Sequence, residues 1–176
     1  MGRIFIGFLF VFLNFNFNLN ASTIGLIPDF IGYILIHKGL YELSLRSQWF
    51  GKVKPYVRCM VLFTAVIYVF DLLGISVSMG YLSLFLGLVS TIISLYITYS
   101  IVMGIQDMEK IYQWKLKAET LFMVWKLIAI CSFLTYLALI APLLGFMGMV
   151  AGFIFHIVFL YYFNISKGMY ESQVNS

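Results

Sequence analysis

Three ionisable side chains lie within long apolar stretches of this sequence. Asp29 follows Pro28 at the start of one stretch, Asp71 lies near the end of the next, and His156 lies in the middle of the last. Ionisable groups inside a membrane are costly and by default mark ion, proton or substrate pathways. We therefore take Asp71 and His156 as the first candidates for an intramembrane polar site, and Asp29 as the third.

Each candidate also has a structural interpretation, which the sequence leaves open. Asp29 would lie beside the positive end of a helix dipole. A lone intramembrane His is commonly hydrogen-bonded to a neighbouring helix. If Asp29 and Asp71 share one side of the membrane, they form a single mouth that attracts a cation or an amine.

No arrangement of residues typical of catalysis is present. The sequence contains no Gly-x-Ser-x-Gly, His-Glu-x-x-His or phosphate-loop motif and no paired carboxylates. Cys59 and Cys131 have no His, Asp or second Cys at metal-ligand spacing, and we expect both to be small hydrophobic core residues without a disulfide. We predict no catalytic residues, no cofactor and no metal.

The composition is that of an integral membrane protein. Of the 176 residues, 62% are hydrophobic and 10% are charged, against about 25% charged in an average soluble domain. A soluble fold of this size could not hide so much apolar side chain. The net charge of +4 does not indicate a nucleic-acid partner, because the basic residues lie in short connectors between apolar runs. The expected partner is the lipid bilayer, with another membrane subunit as a further one.

The apolar runs predict an all-α, polytopic membrane helix bundle that forms a single domain over residues 1–176. A span needs about 20 residues, and the sequence supplies six, at about residues 4–18, 25–46, 56–74, 81–104, 120–141 and 143–163. Residues 1–21 also have the outline of a cleaved signal peptide, and the two alternatives stay open.

Three connectors carry specific expectations. Residues 14–20 alternate polar and apolar, which is typical of an extended segment, either an outer connector in the interface or a re-entrant, amide-lined loop. Residues 48–58 form a basic connector that Gly51 and Pro55 interrupt. Glu42 lies four residues from both Lys38 and Arg46, which predicts an ion-paired helix end.

Charge gives the orientation. In the six-span arrangement, all 11 Lys and Arg residues fall on one side, and only Asp29 and Asp71 fall toward the other. Basic loops stay cytoplasmic. We predict a multi-pass membrane protein with both termini on the cytoplasmic side.

A short motif recurs where each even-numbered span leaves the membrane inward. Lys38-Gly39-Leu40-Tyr41-Glu42 matches Lys167-Gly168-Met169-Tyr170-Glu171 at four of five positions, and Gly104-Ile105-Gln106-Asp107 shares the Gly-x-x-acid pattern. The three glycines are 65 and 64 residues apart. One hypothesis is three copies of a helical hairpin. The alternative is that each Gly ends or loosens the helix as it exits and that each acid pairs with an interfacial Lys. The glycines and acids of the motif are Gly39, Glu42, Gly104, Asp107, Gly168 and Glu171.

Small residues in the last span, Gly145, Gly148 and Gly152, favour close helix approach. We expect packing within the chain rather than a dimer face.

The string Leu26-Ile27-Pro28-Asp29-Phe30-Ile31-Gly32-Tyr33, with Gly39-Leu40 after it, resembles a group of small, functionally uncharacterised multi-pass membrane proteins of Gram-positive bacteria. The resemblance implies a bacterial cytoplasmic membrane and no activity.

Three function classes follow. The first, slightly favoured, is a small-solute or ion transporter, a channel or a transporter subunit. The second is a non-catalytic structural or regulatory membrane partner. The third, a lipid-modifying enzyme, lacks a catalytic cluster.

Overall fold

The computed structural model describes residues 1–12, 16–19, 22–25, 28–73 and 81–174. They belong to two compact units, Gly2–Ile97 and Thr98–Ser176 together with Met1. The first unit contains the helices α1 (Gly2–Phe12), α2 (Asp29–Leu43) and α3 (Gln48–Leu72) and the start of α4 (Tyr81–Tyr112). The second contains the rest of α4, then α5 (Ala118–Tyr136), a 3-10 turn (Leu137–Leu139) and α6 (Pro142–Val174). The predicted all-α class is confirmed by these six helices.

A short β-hairpin between α1 and α2 is the exception to the helical fold. Strand β1 (Asn16–Leu19) pairs antiparallel with β2 (Ser22–Gly25), so that Asn16 lies opposite Gly25 and Leu19 lies opposite Ser22. The alternation over residues 14–20 predicted an extended segment, which is confirmed for residues 16–19. Residues 14, 15 and 20 lie outside the described residues. The same hairpin corrects the first two spans, which were expected to continue as helix over residues 4–18 and 25–46.

Helices α1 and α2 cross at glycines, so their backbones touch. A Cβ on Gly7 would lie 2.6 Å from the carbonyl oxygen of Gly32, and a Cβ on Gly32 would lie 2.8 Å from that of Gly7. Further along α2, a Cβ on Gly39 would lie 2.5 Å from Cγ1 of Ile4. Since later residues of α2 meet earlier residues of α1, the two helices are antiparallel.

Within the described residues, four helices are long and apolar enough to cross a membrane, and α1 and α2 are not among them. These two have 11 and 15 residues, or about 16 and 22 Å, against a hydrocarbon core of about 30 Å. Of the six predicted spans, length and composition therefore support four, α3 to α6, as candidate spans. Three of these run beyond the predicted ends: α3 begins earlier, at Gln48, and α4 and α6 continue to Tyr112 and Val174.

Helix α3 passes through Gly51 and Pro55, which were expected to interrupt a connector. Ser47 caps its start by accepting a hydrogen bond from the backbone N–H of Trp49 at 3.3 Å. A buried stripe then continues on both sides of Pro55, at Phe50, Val53, Val57, Met60 and Thr64. This spacing of three and four residues keeps one face against α2, and the packing outweighs the helix-breaking tendency of proline.

The four long helices expose most of their apolar surface. No more than 28% of the residues in the apolar part of any of them are buried. Large side chains such as Leu62 and Leu143 are 70% and 72% exposed. Water does not tolerate such faces over whole helices, and lipid does. This surface supports membrane insertion.

Helices α5 and α6 are also held together by glycines. A Cβ on Gly148 would lie 2.8 Å from Cβ of Leu134, and one on Gly145 would lie 2.5 Å from Cα of Ala138. Gly152 faces Cys131 at an ordinary contact distance. The small residues of α6 therefore serve packing within the chain, as predicted.

A glutamate from α4 caps the start of α5. The connector over residues 113–117 has no regular secondary structure, and Lys117 has a left-handed backbone with φ 62°. Glu109 Oε1 accepts hydrogen bonds from the N–H of Leu116 at 2.5 Å and of Ala118 at 3.3 Å. The first N–H groups of a helix have no partner within it. A carboxylate satisfies them and complements the helix dipole.

Candidate functional site

The two predicted aspartates lie at the same end of the α2–α3 pair. Asp29 is the first residue of α2, and Asp71 is the last residue but one of α3. The rings of Phe30 and Tyr68, each close in sequence to one of these aspartates, make an edge contact with centroids 5.8 Å apart. The short turn Ser44–Ser47 makes the helices antiparallel, which explains why these ends meet.

His156 lies in the other unit, half-buried on α6. Its Nδ1 is 2.7 Å from the carbonyl oxygen of Gly152, one turn earlier on the same helix. The expected hydrogen bond to a neighbouring helix is therefore replaced, at this nitrogen, by one to the backbone of its own helix.

The recurring cytoplasmic-end motif lies inside helices, not at their ends. Helices α2, α4 and α6 continue past Gly39, Gly104 and Gly168 to Leu43, Tyr112 and Val174, so the expectation that these glycines end helices is wrong. Their surroundings also differ. Gly39 packs on Ile4, whereas a Cβ on Gly168 would meet nothing within 4 Å. The threefold hairpin repeat, which includes Asp107 and Glu171, stays a prediction.

Glu42 pairs with a residue that the sequence did not suggest. Its Oε1 lies 2.6 Å from Nη1 of Arg3, the third residue of the chain. Glu42 was predicted to pair with Lys38 or Arg46 at the end of the helix, but its ion pair is with Arg3 instead. The antiparallel crossing of α1 and α2 explains the difference, because it places the start of α1 beside the end of α2.

A groove between α2 and α3 is the site that sequence reasoning missed. It has a volume of about 330 Å³ and is lined by Ile34, His37, Lys38, Arg58, Val61 and Leu62. On each helix the lining residues are spaced by three and four, so they form one face. The volume is within the range of small-molecule sites, about 300–1,000 Å³.

A hydrogen bond between side chains spans the groove. Nε of Arg58 donates to Nε2 of His37 over 2.9 Å. An acceptor at Nε2 requires the neutral imidazole with its proton on Nδ1. The guanidinium of Arg58 is thereby oriented, and its two terminal nitrogens are not used in this contact.

The charge around the groove is positive. Burial, followed by the charges of Arg58 and Lys54, lowers the pKa of His37 from its ordinary value. Lys54 itself lies over the ring of Tyr41, with Nζ 4.7 Å from the centroid. Within the described residues, neither Lys38 nor Arg58 is ion-paired with a carboxylate. The groove is therefore a cationic site without an internal counter-ion.

The groove is also polar at one end and apolar at the other. Lys38 lies one turn after Ile34 on α2, and Arg58 lies one turn before Leu62 on α3. Because the helices are antiparallel, both cations lie toward the turn at Ser44–Ser47 and both aliphatic residues lie away from it. Spacing along the sequence does not indicate this arrangement, since residues 37 and 58 lie 7 and 11 residues from the turn (44 − 37 and 58 − 47).

The second unit gathers its charges at one end as well. The Glu109 cap and the ring contact between Trp114 and Tyr170, with centroids 5.7 Å apart, place the α4–α5 connector beside the last part of α6. Lys126, further along α5, lies over the ring of Phe122 with Nζ 4.9 Å from the centroid. The ammonium is thus directed toward the start of its helix, as expected of a snorkelling lysine.

Within the described residues, no three His, Cys, Asp or Glu side chains come together as a metal site would require. Cys59 and Cys131 are both free thiols. Cys131 is buried as predicted, whereas Cys59 is exposed on α3 and is not a core residue.

Comparison of the chain with protein-family models, curated proteins and solved structures gives no match.

Proposed function

We propose that this chain is a multi-pass protein of a bacterial cytoplasmic membrane that carries a small solute or ion, alone or as the membrane subunit of a transporter. The four long, apolar, largely exposed helices support the membrane placement. The family resemblance of the segment 26–33 supports a bacterial membrane.

The distribution of charge supports an orientation with both termini in the cytoplasm. In the first unit, the Arg3–Glu42 pair and the Arg58–His37 bond mark the basic end, and Asp29 and Asp71 lie at the other. In the second unit, Lys110, Lys115 and Lys117 lie at the end where Trp114 meets Tyr170. Basic residues remain on the cytoplasmic side of membranes.

The observation that carries the transport proposal is the pair of short antiparallel helices α1 and α2. Two helices too short to span the bilayer pack through glycines and are joined through a β-hairpin. Non-helical backbone at membrane depth is tolerated where it is buried in protein or lines a water-filled cavity. Transporters bind substrate where helix termini inside the membrane meet irregular backbone, and α2 begins after such a segment.

The solute class follows from the aspartates. Asp29 begins the half-length helix α2, and Asp71 lies at the corresponding end of α3. Two carboxylates at this end of the helix pair attract a monovalent cation or a protonated amine. His156 is the further candidate on α6.

Reconstituted vesicles test the proposal. Solid-supported-membrane currents would be recorded on concentration jumps of protons, Na⁺, K⁺ and primary amines. We expect a current for at least one of these, and Asp71→Asn to abolish it while the protein stays monodisperse. Glu171→Gln, at an exposed carboxylate on the last helix, is the matched control and should leave the current unchanged. No current with any probe, or equal currents for Asp71→Asn and wild type, contradicts the proposal.

The second candidate is a non-catalytic membrane partner. The exposed apolar faces of α5 and α6 favour it, since a partner helix covers such faces as well as lipid does. In that case Asp71→Asn and His156→Ala lower thermal stability without altering any current. A stoichiometric membrane protein then copurifies in mild detergent.

A further inference from the structure

We propose that the α2–α3 groove binds the phosphate headgroup of an anionic membrane phospholipid. The inference requires the membrane placement proposed above but not solute transport. The groove is separate from the aspartate mouth, which lies at the opposite end of the same two helices.

The donors suit a phosphate group. His37 occupies Nε of Arg58, so the two terminal nitrogens can bind a phosphate side by side. Arginine makes such paired, charge-assisted bonds with phosphate oxygens, and lysine adds a compact positive charge. Lys38 lies at the same end of the groove. Within the described residues, no carboxylate forms an ion pair with either cation. An anion in the groove would therefore not compete with an internal partner.

The direction of the groove distinguishes a lipid from a free anion. Ile34, Val61 and Leu62 continue the groove from the cations toward the middle of the helices. An amphiphile lying along the helices would place its headgroup at Arg58 and Lys38 and its first acyl methylenes on these aliphatic side chains. Inorganic phosphate would leave this apolar wall unused. Basic pockets between helices on the cytoplasmic side of membranes bind anionic lipid headgroups for the same reason.

His37 is a positioning residue in this arrangement. It does not need to touch the lipid, because its role is to accept from Nε and thereby fix the plane of the guanidinium. Glutamine can supply an acceptor oxygen in its place, and alanine cannot. Comparing His37→Gln with His37→Ala therefore shows whether the hydrogen-bond acceptor at this position is needed for lipid binding.

The test is native mass spectrometry of the full chain in a neutral detergent, titrated with phosphatidylglycerol or with phosphatidylcholine of the same acyl chains. We expect phosphatidylglycerol to bind at least about tenfold more tightly, and Arg58→Gln to remove about tenfold of that affinity. Lys38→Gln, at an exposed side chain, should also weaken binding without affecting folding. Lys52→Gln makes the same charge change on α3 outside the groove and should have no effect. His37→Gln should retain more affinity than His37→Ala.

Four outcomes would overturn the inference. Equal affinity for the two lipids would remove the headgroup preference. An equal loss in Lys52→Gln and Arg58→Gln would indicate general surface charge. Equal affinity of His37→Gln and His37→Ala would refute the positioning role. Displacement of the lipid by millimolar inorganic phosphate would assign the groove to a free anion. Because binding is measured without a gradient, loss of transport with intact lipid binding contradicts only the proposed function.

Discussion

Nε of Arg58 and Nε2 of His37, on neighbouring antiparallel helices, are joined by a hydrogen bond of 2.9 Å. The two residues are 21 positions apart in sequence, and the short turn between α2 and α3 brings them together. The contact orients Arg58 at the basic end of the α2–α3 groove and requires His37 to be neutral.

The first prediction concerns pH. Burial and the cations Arg58 and Lys54 lower the pKa of His37 below its ordinary value of 6.5, so the unfolded chain binds the proton more readily than the folded one. The contribution of His37 to the free energy of unfolding is therefore complete above about pH 6.5. It is lost as the pH falls through the folded-state pKa. Thermal unfolding in detergent between pH 7.5 and pH 5 should show a steeper loss of stability for wild type than for His37→Gln.

His156 is still present in that variant, so the difference between the two proteins isolates His37. Identical pH profiles for wild type and His37→Gln would contradict the prediction.

The second prediction tests the α1–α2 crossing. Gly7→Ala places a methyl group 2.6 Å from the carbonyl oxygen of Gly32 and from Cγ1 of Ile36, so the helices must separate. We expect a loss of about 1–3 kcal/mol, measured by thermal or denaturant unfolding in detergent. Gly51→Ala is the matched control, because a Cβ there meets nothing within 4 Å. It should be neutral or stabilising by up to about 1 kcal/mol from helix propensity. A Gly7→Ala protein as stable as Gly51→Ala would refute the close crossing.

The third prediction concerns α5 and α6. A Cβ on Gly148 would lie 2.9 Å from the backbone nitrogen of Thr135, which cannot move independently of its helix. We expect Gly148→Ala to destabilise the protein by about 1–3 kcal/mol. Gly168→Ala on the same helix faces open space and should not. If Gly148→Ala instead changes only the oligomeric state, the glycines serve contacts between chains.

The fourth prediction concerns the cap on α5. Glu109→Ala removes the acceptor for the N–H groups of Leu116 and Ala118 and should cost about 0.5–2 kcal/mol, as loss of a helix cap does. Glu109→Gln retains an acceptor oxygen but not the charge, so it should cost less. Hydrogen exchange would show the loss locally, as faster exchange at the start of α5. Uniform exchange across α5 in both variants would argue against capping.

The sequence predicted six helices, as the described residues have, but several of these helices begin or end at other residues than predicted. Long apolar runs identify α3 to α6 because only a membrane accommodates such composition. At the basic segment 48–58, charge, Gly51 and Pro55 predicted a connector, but the buried stripe through Val53 and Val57 keeps it helical. Local propensity decided the prediction, and tertiary packing decided the structure.

The candidate site was predicted only in part. Asp29 and Asp71 were expected on one side, and the Phe30–Tyr68 contact places them at one end of α2 and α3. The groove was not predicted, because its cations were interpreted only as signals of membrane orientation.

By itself, the amino-acid sequence predicted a lipid environment for the apolar helices, the helical class of the fold, and the end of each helix pair at which the basic residues lie. Composition and spacing along the chain are sufficient to predict these properties, because the partition of apolar and charged side chains between lipid and water depends on them directly. The tertiary structure alone decided that Glu42 meets Arg3, that His37 orients Arg58, and that Gly7 lies on Gly32. Such contacts depend on the register between antiparallel helices. That register is set by the packing of residues that are distant in sequence.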